Sequence, residues 1–352
     1  MKIVCDDKIP FLRGVFEPYA EVVYLPGAAI GAADVRDAAA LLTRTRTRCD
    51  AALLEGSSVR VIASATIGFD HIDTSWCESH GIAWANAPGC NAGSVAQYVE
   101  SALLTLSRLH GLDLGELTLG IVGVGHVGSR VARIACRLGM RVLLCDPPRA
   151  AALNSGHPAP DGFAGTSPED FCDLDSVLTD ADIITLHVPL DDSTFHLFDY
   201  ARLASMRRDQ ILINTSRGEV VDCSALRDLL ARRHAAGISP SDHTPGGPGA
   251  AVLDVWENEP AIDRELLRLV DIGTPHIAGY SADGKAAGTA AAVRFVARRL
   301  GISNLSNWSV SPGSIPPATY SGYDVTRDSD ALKSTPDNFE YFREHYPIRR
   351  EL

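Results

Sequence analysis

The chain has 352 residues, 45% of them hydrophobic, and 32 Lys and Arg against 44 Asp and Glu give a net charge of −12. That length suits two domains with ordinary cores, and the acidic balance argues against nucleic acid as a partner, because duplex binding needs clustered cations. No apolar run reaches the ~18 residues of a membrane span, MKIVCDDKIPF opens as a strand rather than a signal peptide, and eight dispersed cysteines without a CxxC pair predict reduced packing thiols and no metal site; a cytoplasmic protein without a membrane partner is expected.

The β-rich runs KIVCD, AEVVYLP, AALLTRTRT, VRVIASAT and GIAWANAP alternate with Ala-rich helical stretches and predict an α/β layer over residues 1–92. TRTRTR (43–48) puts Arg44, Arg46 and Arg48 at period two, on one face of a strand. That face reads equally as an anion clamp or as an edge strand blunted with charge. His71 in GFDHID reads as a structural turn residue. Ser94 and Gln97 have capping-box spacing ahead of Val95, Val99, Ala102, Leu103, Leu106 and Leu109 at helical period, so a helix is expected there as the crossover into a second domain.

Residues 119–148, LGIVGVGHVGSRVARIACRLGMRVLLCDPP, carry the most specific signal. A strand runs into a GxGxxG turn at Gly123, Gly125 and Gly128, a helix opens at His126 and Val127, and a second strand ends at Asp146. Gly123 permits the bend, Gly125 admits a pyrophosphate to backbone N–H groups, and Gly128 lets helix and strand pack closely. The helix N-terminus attracts phosphate, and Asp146 would bind ribose hydroxyls while repelling a 2′-phosphate. NAD is therefore the expected cofactor, in preference to NADP.

The βα rhythm continues through DIITLHVPL, ILINTSRGEVVD and AAVLDVWENEP, whose strand ends are where open parallel sheets bind ligands. NSGHPAPDGFAG (154–165) and HAAGISPSDHTPGGPGA (234–250) read as loops. An Ala-rich helix is expected over 286–300, followed by a Ser-, Pro- and Asp-rich stretch.

Three strand ends offer Arg217 in NTSRGEVVD, Glu259 in LDVWENEP and His276 in TPHIAGY. Oxidising an alcohol with NAD needs a base for the hydroxyl proton, and imidazole is suited to neutral pH. A carboxylate beside it fixes its tautomer, and an Arg can hold a substrate carboxylate in a bidentate fork. The assignment is His276 as acid/base, Glu259 as its orienter and Arg217 as substrate anchor. Singly, each is equally consistent with a cap, a solvated loop or a structural histidine.

Together the fingerprint, VPL, NTSRGEVVD, DVWENEP and PHIAGY, in that order, resemble the D-2-hydroxyacid dehydrogenase family, whose catalytic Arg, Glu and His match these positions. The resemblance implies two Rossmann-like doubly wound parallel-sheet domains with a cleft between them: a substrate domain over 1–92, an NAD-binding domain over 93–274, a return over 275–290, and a C-terminal segment over 291–352 resembling part of a dimerisation domain, hence a homodimer. CDPPRA, APGCN, ATIGFDHID, LDVWENEP and DIGTPHIAGYSADGK narrow it to a branch that oxidises the 2-hydroxyl of a phosphorylated hydroxy acid, 4-phospho-D-erythronate. In that resemblance Thr45, Thr66 and Tyr280 meet substrate, which favours the adjoining Arg44 as the phosphate clamp, and Val188, Thr215, Asp254 and Gly279 join Gly123, Gly125, His126, Val127, Gly128 and Asp146 around the cofactor, Asp254 facing the nicotinamide amide. Two alternatives stay open: a dehydrogenase of another D-2-hydroxy acid such as 3-phosphoglycerate, and a non-enzymatic NAD-sensing protein.

Overall fold

The computed structural model describes residues 1–160, 162–236, 243–312, 323–347 and 349–351. The chain divides into two compact units, one of Met1–Asn91, Tyr280–Pro317 and Ile348–Glu351, the other of Ala92–Gly279, Ala318–Pro347 and Leu352.

In the first unit each of the five apolar runs is a strand: β1 (Lys2–Asp6), β2 (Glu21–Leu25), β3 (Ala38–Thr43), β4 (Val61–Ser64) and β5 (Ala83–Ala85). They pair in parallel in the order β2-β1-β3-β4-β5. Strands β3 and β4 are buried throughout, as in a parallel sheet covered on both faces. One cover is the helix Ala282–Leu300, whose Ala292, Val293, Val296 and Ala297 pack with Ile3, Ala40, Leu42 and Val61. It begins earlier than residue 286 because the Ser281 hydroxyl accepts from the Gly284 N–H at 2.8 Å and caps it.

The arginines of TRTRTR do not share a strand face, because β3 ends at Thr43 and the chain turns out of the sheet. Thr47 is buried and donates to the Gly27 carbonyl at 2.8 Å, Arg48 pairs with Asp50 at 2.8 Å, and Arg44 is half-buried at the strand end. The edge-strand alternative fails as well, since β3 lies between β1 and β4.

In the second unit six strands follow: β6 (Thr118–Val122), β7 (Arg141–Cys145), β8 (Ile183–Leu186), β9 (Ile211–Asn214), β10 (Ala250–Leu253) and β11 (Ile272–Gly273). All pair in parallel in the order β7-β6-β8-β9-β10-β11. The strand order reverses between β6 and β8, and in the first unit between β1 and β3; ligands bind at the carboxyl ends beside such a switch. The glycine turn follows β6 and Arg44 follows β3, so both candidates lie at switch points.

The expected crossover helix forms, over Ala92–His110, but the Ser94–Gln97 capping box does not. The helix starts before Ser94, and the Ser94 hydroxyl donates to the Ala278 carbonyl at 2.9 Å. Residues 237–242 of the second expected loop and Asp161 of the first lie outside the described residues. Two helices of the C-terminal segment, Val325–Ser334 and Phe339–Glu344, belong to the second unit, with Leu332 and Phe339 buried among Leu266, Leu267 and Trp256. Among the described residues no helix is long and apolar enough to cross a membrane, and no group of His, Cys, Asp or Glu is arranged to hold a metal.

Candidate active site

The glycine turn has the geometry that a dinucleotide requires. Gly123 has φ 88°, and a Cβ there would strike the His187 carbonyl oxygen at 2.6 Å and Val188 at 2.9 Å. At Gly128 a side chain would run into the Gly123 carbonyl, so its absence sets the distance between helix and strand. Around Gly125 a Cβ would meet nothing within 4 Å, leaving the backbone open to a phosphate where the helix His126–Arg137 begins. These residues fit NAD.

Asp146 follows β7 and anchors the turn. Its carboxylate accepts from the Val124 N–H at 2.8 Å and caps the helix Pro147–Asn154 by accepting from the Arg149 N–H at 3.1 Å. Arg149 donates to the carbonyls of Val124 and Gly165, both at 2.6 Å, and its guanidinium lies over the rings of Phe163 and Phe171. At the end of β8, His187 is held between Thr185 (3.0 Å) and the hydroxyl of Thr215 (3.2 Å). Burial pushes its imidazole down to about 3, so it is neutral and fixes Thr215 without adding charge.

Asn214, the last residue of β9, shapes the loop carrying Arg217. Its side chain donates to the Arg217 carbonyl at 2.8 Å and accepts from the N–H and hydroxyl of Ser216 at 3.0 and 2.7 Å. Arg217, half-buried, donates to the Ser216 carbonyl at 2.7 Å. Gly218 packs its backbone against the Trp256–Glu257 peptide, where no side chain would fit. The Arg217 loop is thereby seated on the loop that carries Glu259.

That loop separates its two glutamates. Glu257 turns away and accepts from His196 at 2.7 Å and the Cys223 N–H at 3.1 Å. Glu259 accepts from the Trp256 N–H at 3.0 Å and lies 2.7 Å from Nδ1 of His276. Burial opposes ionising Glu259, yet His276, the Trp256 N–H and Arg343 together hold its carboxyl below the usual range. With Nδ1 engaged, Nε2 of His276 is left to exchange a proton.

His276 has φ 56°, in the left-handed region, and its N–H donates to the Asp254 carbonyl at 2.7 Å. Asp254, expected to face the nicotinamide, is 1% exposed and engages both carboxylate oxygens inside the chain. It accepts from Thr274 at 2.6 Å and from the N–H groups of Ile277 and Ala278 at 2.8 and 2.9 Å. Thr274 in turn meets the hydroxyl of Tyr98 at 2.7 Å. This buried network holds the strained turn that presents His276. Gly279 lies in the turn that follows, at residues 278–279.

In the first unit Arg44 and Thr66 lie at the ends of β3 and β4. The Ser64 hydroxyl bonds that of Thr66 at 2.8 Å and reaches the Arg44 carbonyl at 3.4 Å. Helix Ala282–Leu300 approaches closely because Gly288 has no side chain to strike the Ala65 carbonyl. One turn earlier on the same face is Lys285, whose ammonium is 5.0 Å from the centre of the Tyr280 ring. Burial and the Arg44 charge push Lys285 below the usual range. Among the described residues neither cation's side chain makes a hydrogen bond or an ion pair. Thr45 is exposed beside Arg44. Lys285 was missed in the sequence, although a cation within two turns of Tyr280 on a helix was the available signal. His187, Asn214 and Arg149 were missed too; Thr215, which His187 meets, and Val124 and Gly165, which Arg149 binds, are distant in sequence.

The NAD-binding domain of the D-isomer specific 2-hydroxyacid dehydrogenases matches residues 92–278. The chain belongs to this family. It is an NAD-dependent oxidoreductase acting on a CH–OH group, and its substrate is a small molecule. The dehydrogenase is similar to the erythronate-4-phosphate dehydrogenase of Bacteroides fragilis, 46% identical over 364 aligned residues covering 100% of this chain and 97% of the relative. It is also similar to that of Ectopseudomonas mendocina, 40% identical over 100% of this chain and 93% of the relative. The matches thus include the C-terminal segment. Among solved structures, a D-lactate dehydrogenase from Aquifex aeolicus complexed with NAD and lactic acid aligns at TM-score 0.68 and 25% identity, covering 89% of this chain and 100% of that one. An NAD-bound 3-phosphoglycerate dehydrogenase from Entamoeba histolytica shares the fold at TM-score 0.66 and 23% identity, over 88% and 98%.

Proposed function

We propose that the dehydrogenase oxidises the 2-hydroxyl of 4-phospho-D-erythronate, giving 2-oxo-3-hydroxy-4-phosphobutanoate, as a cytoplasmic homodimer serving vitamin B6 synthesis. The observation that carries the chemistry is the 2.7 Å pair of Glu259 and His276; the substrate rests on the relatives' names and on the paired cations Arg44 and Lys285.

Bound NAD supplies the hydride acceptor. The N–H groups of the turn Gly123–Gly128, with His126 and Val127 at the helix start, would hold its phosphates, and Asp146 would receive the ribose. Val188, Thr215 and Gly279 would line the nicotinamide side, while Asp254 acts by holding the His276 turn. His276 accepts the hydroxyl proton at Nε2 as Glu259 stabilises the imidazolium through Nδ1. Arg217 holds the substrate carboxylate and polarises the 2-oxygen. Thr45, Thr66 and Tyr280 hydrogen-bond substrate oxygens, and Arg44 with Lys285 takes the phosphate.

Reduced-nicotinamide absorbance tests this with NAD, NADP or an added 2-oxo acid acceptor, on 4-phospho-D-erythronate and on D-3-phosphoglycerate. Turnover selective for the former, abolished in His276→Ala, is expected. Selectivity for another acid would overturn the substrate, and NAD binding without turnover of any acid would mark a sensor.

A further inference from the structure

The C-terminal segment reaches the catalytic pair. In helix Phe339–Glu344 the buried ring of Phe339 anchors the first residue in the second unit's core, and Arg343, one turn later, projects toward the loop after β10. Its guanidinium is 3.9 Å from Oε2 of Glu259, the oxygen that faces His276, and 3.1 Å from the carboxylate of Glu340. Arg343 and Glu259 are each about four-fifths buried, so solvent screens them only in part.

We infer that Arg343 is a positioning residue for the reaction, a cation carried by the C-terminal segment that holds Glu259 ionised and sets the pH at which the Glu259–His276 pair takes up its proton. The inference rests on His276 being the acid/base.

Glu259 meets His276, Arg343 and the Trp256 N–H, and Arg343 has Glu259, Glu340 and the Phe339 ring among its neighbours. A cation beside the carboxylate opposes any further proton on the pair. Its removal therefore lets the pair protonate at higher pH. Neutralising Glu340 releases Arg343 from a competing anion, strengthens its field at Glu259 and acts in the opposite sense.

The test is the pH profile of kcat/KM on the full chain, in both directions, with whichever D-2-hydroxy acid it turns over. Oxidation needs the pair unprotonated, so Arg343→Met should move its acid limb up by about half to one pH unit. Reduction of the 2-oxo acid needs the proton, so its basic limb should move up by a similar amount. Arg343→Lys should restore both, and Glu340→Gln should move them down. A merely structural role would lower amplitude without moving either midpoint. If Arg343→Met does not fold, Glu340→Gln still reports the sign. Unmoved midpoints in folded Arg343→Met and Glu340→Gln overturn the inference while leaving the proposed reaction intact; activity surviving in His276→Ala overturns the acid/base assignment beneath it.

Discussion

Replacing Glu259 by Gln tests the catalytic pair at the carboxylate that orients the imidazole. The carboxylate lies 2.7 Å from Nδ1 of His276 and is about four-fifths buried, so its interaction is charge-assisted and only partly screened. Such a hydrogen bond contributes about 1.5–3 kcal/mol, and it is strongest when His276 carries the substrate proton. Losing it lowers kcat roughly ten- to a hundredfold at about 1.4 kcal/mol per factor of ten. The amide adds a second penalty: it can donate to Nδ1, which places the imidazole proton on Nε2, the atom that must accept. Wrong-tautomer histidines lose of order 10⁴ in rate, so the expected fall lies between about a hundredfold and ten-thousandfold. The assay is the initial rate of reduced nicotinamide formation at saturating hydroxy acid, beside NAD affinity by fluorescence titration, which should not change. A kcat within about threefold of the parent, corresponding to less than 1 kcal/mol, would refute the role assigned to Glu259.

Lys285→Ala and Arg44→Ala should each raise KM for the phosphorylated acid at least tenfold, the loss of about 1.4 kcal/mol from a charged contact, with little effect on D-erythronate; steady-state kinetics on the two acids decides it. Gly128→Ala forces a methyl group into the Gly123 carbonyl and should cost about 1–3 kcal/mol, seen as a lower denaturation midpoint and weakened NAD binding. His187 is held neutral with its pKa near 3 by burial, below the ordinary value of about 6.5. The unfolded chain therefore binds this proton first on acidification, and stability should fall as pH drops from about 6.5 toward 3. Thermal unfolding across that range should show a shallower slope in His187→Asn, and an unchanged slope would count against the buried neutral imidazole.

The strands were legible because parallel sheets covered on both faces leave near-continuous apolar runs, as in IITL of β8 and AAVL of β10. The fingerprint glycines were legible because each answers a local backbone demand. Period two in TRTRTR misled, since alternation has meaning only inside a strand, and the buried Thr47 bond to Gly27 takes the chain out of one. The Ser94 cap misled in the same way: the competing acceptor, the Ala278 carbonyl, is 184 residues away. Lys285 offered only its spacing from Tyr280, Arg343 carries no local pattern, and tertiary packing brings Arg343 to Glu259.

The side chains that hold the glycine turn also bear on how readily this lineage could change its electron carrier. Arg149 is already fixed beside the Asp146 carboxylate, and its guanidinium retains donors beyond the two that bind Val124 and Gly165. An arginine at this place is what accommodates a 2′-phosphate in NADP-using relatives of the fold. Discrimination thus depends on one anion standing next to a ready-made cation. A single-nucleotide change converting the Asp146 codon to Asn or Ala would remove the repulsion and leave the attraction, so drift toward the phosphorylated carrier is short in mutational distance. What opposes it is structural, because the same carboxylate ties down Val124 and caps the following helix.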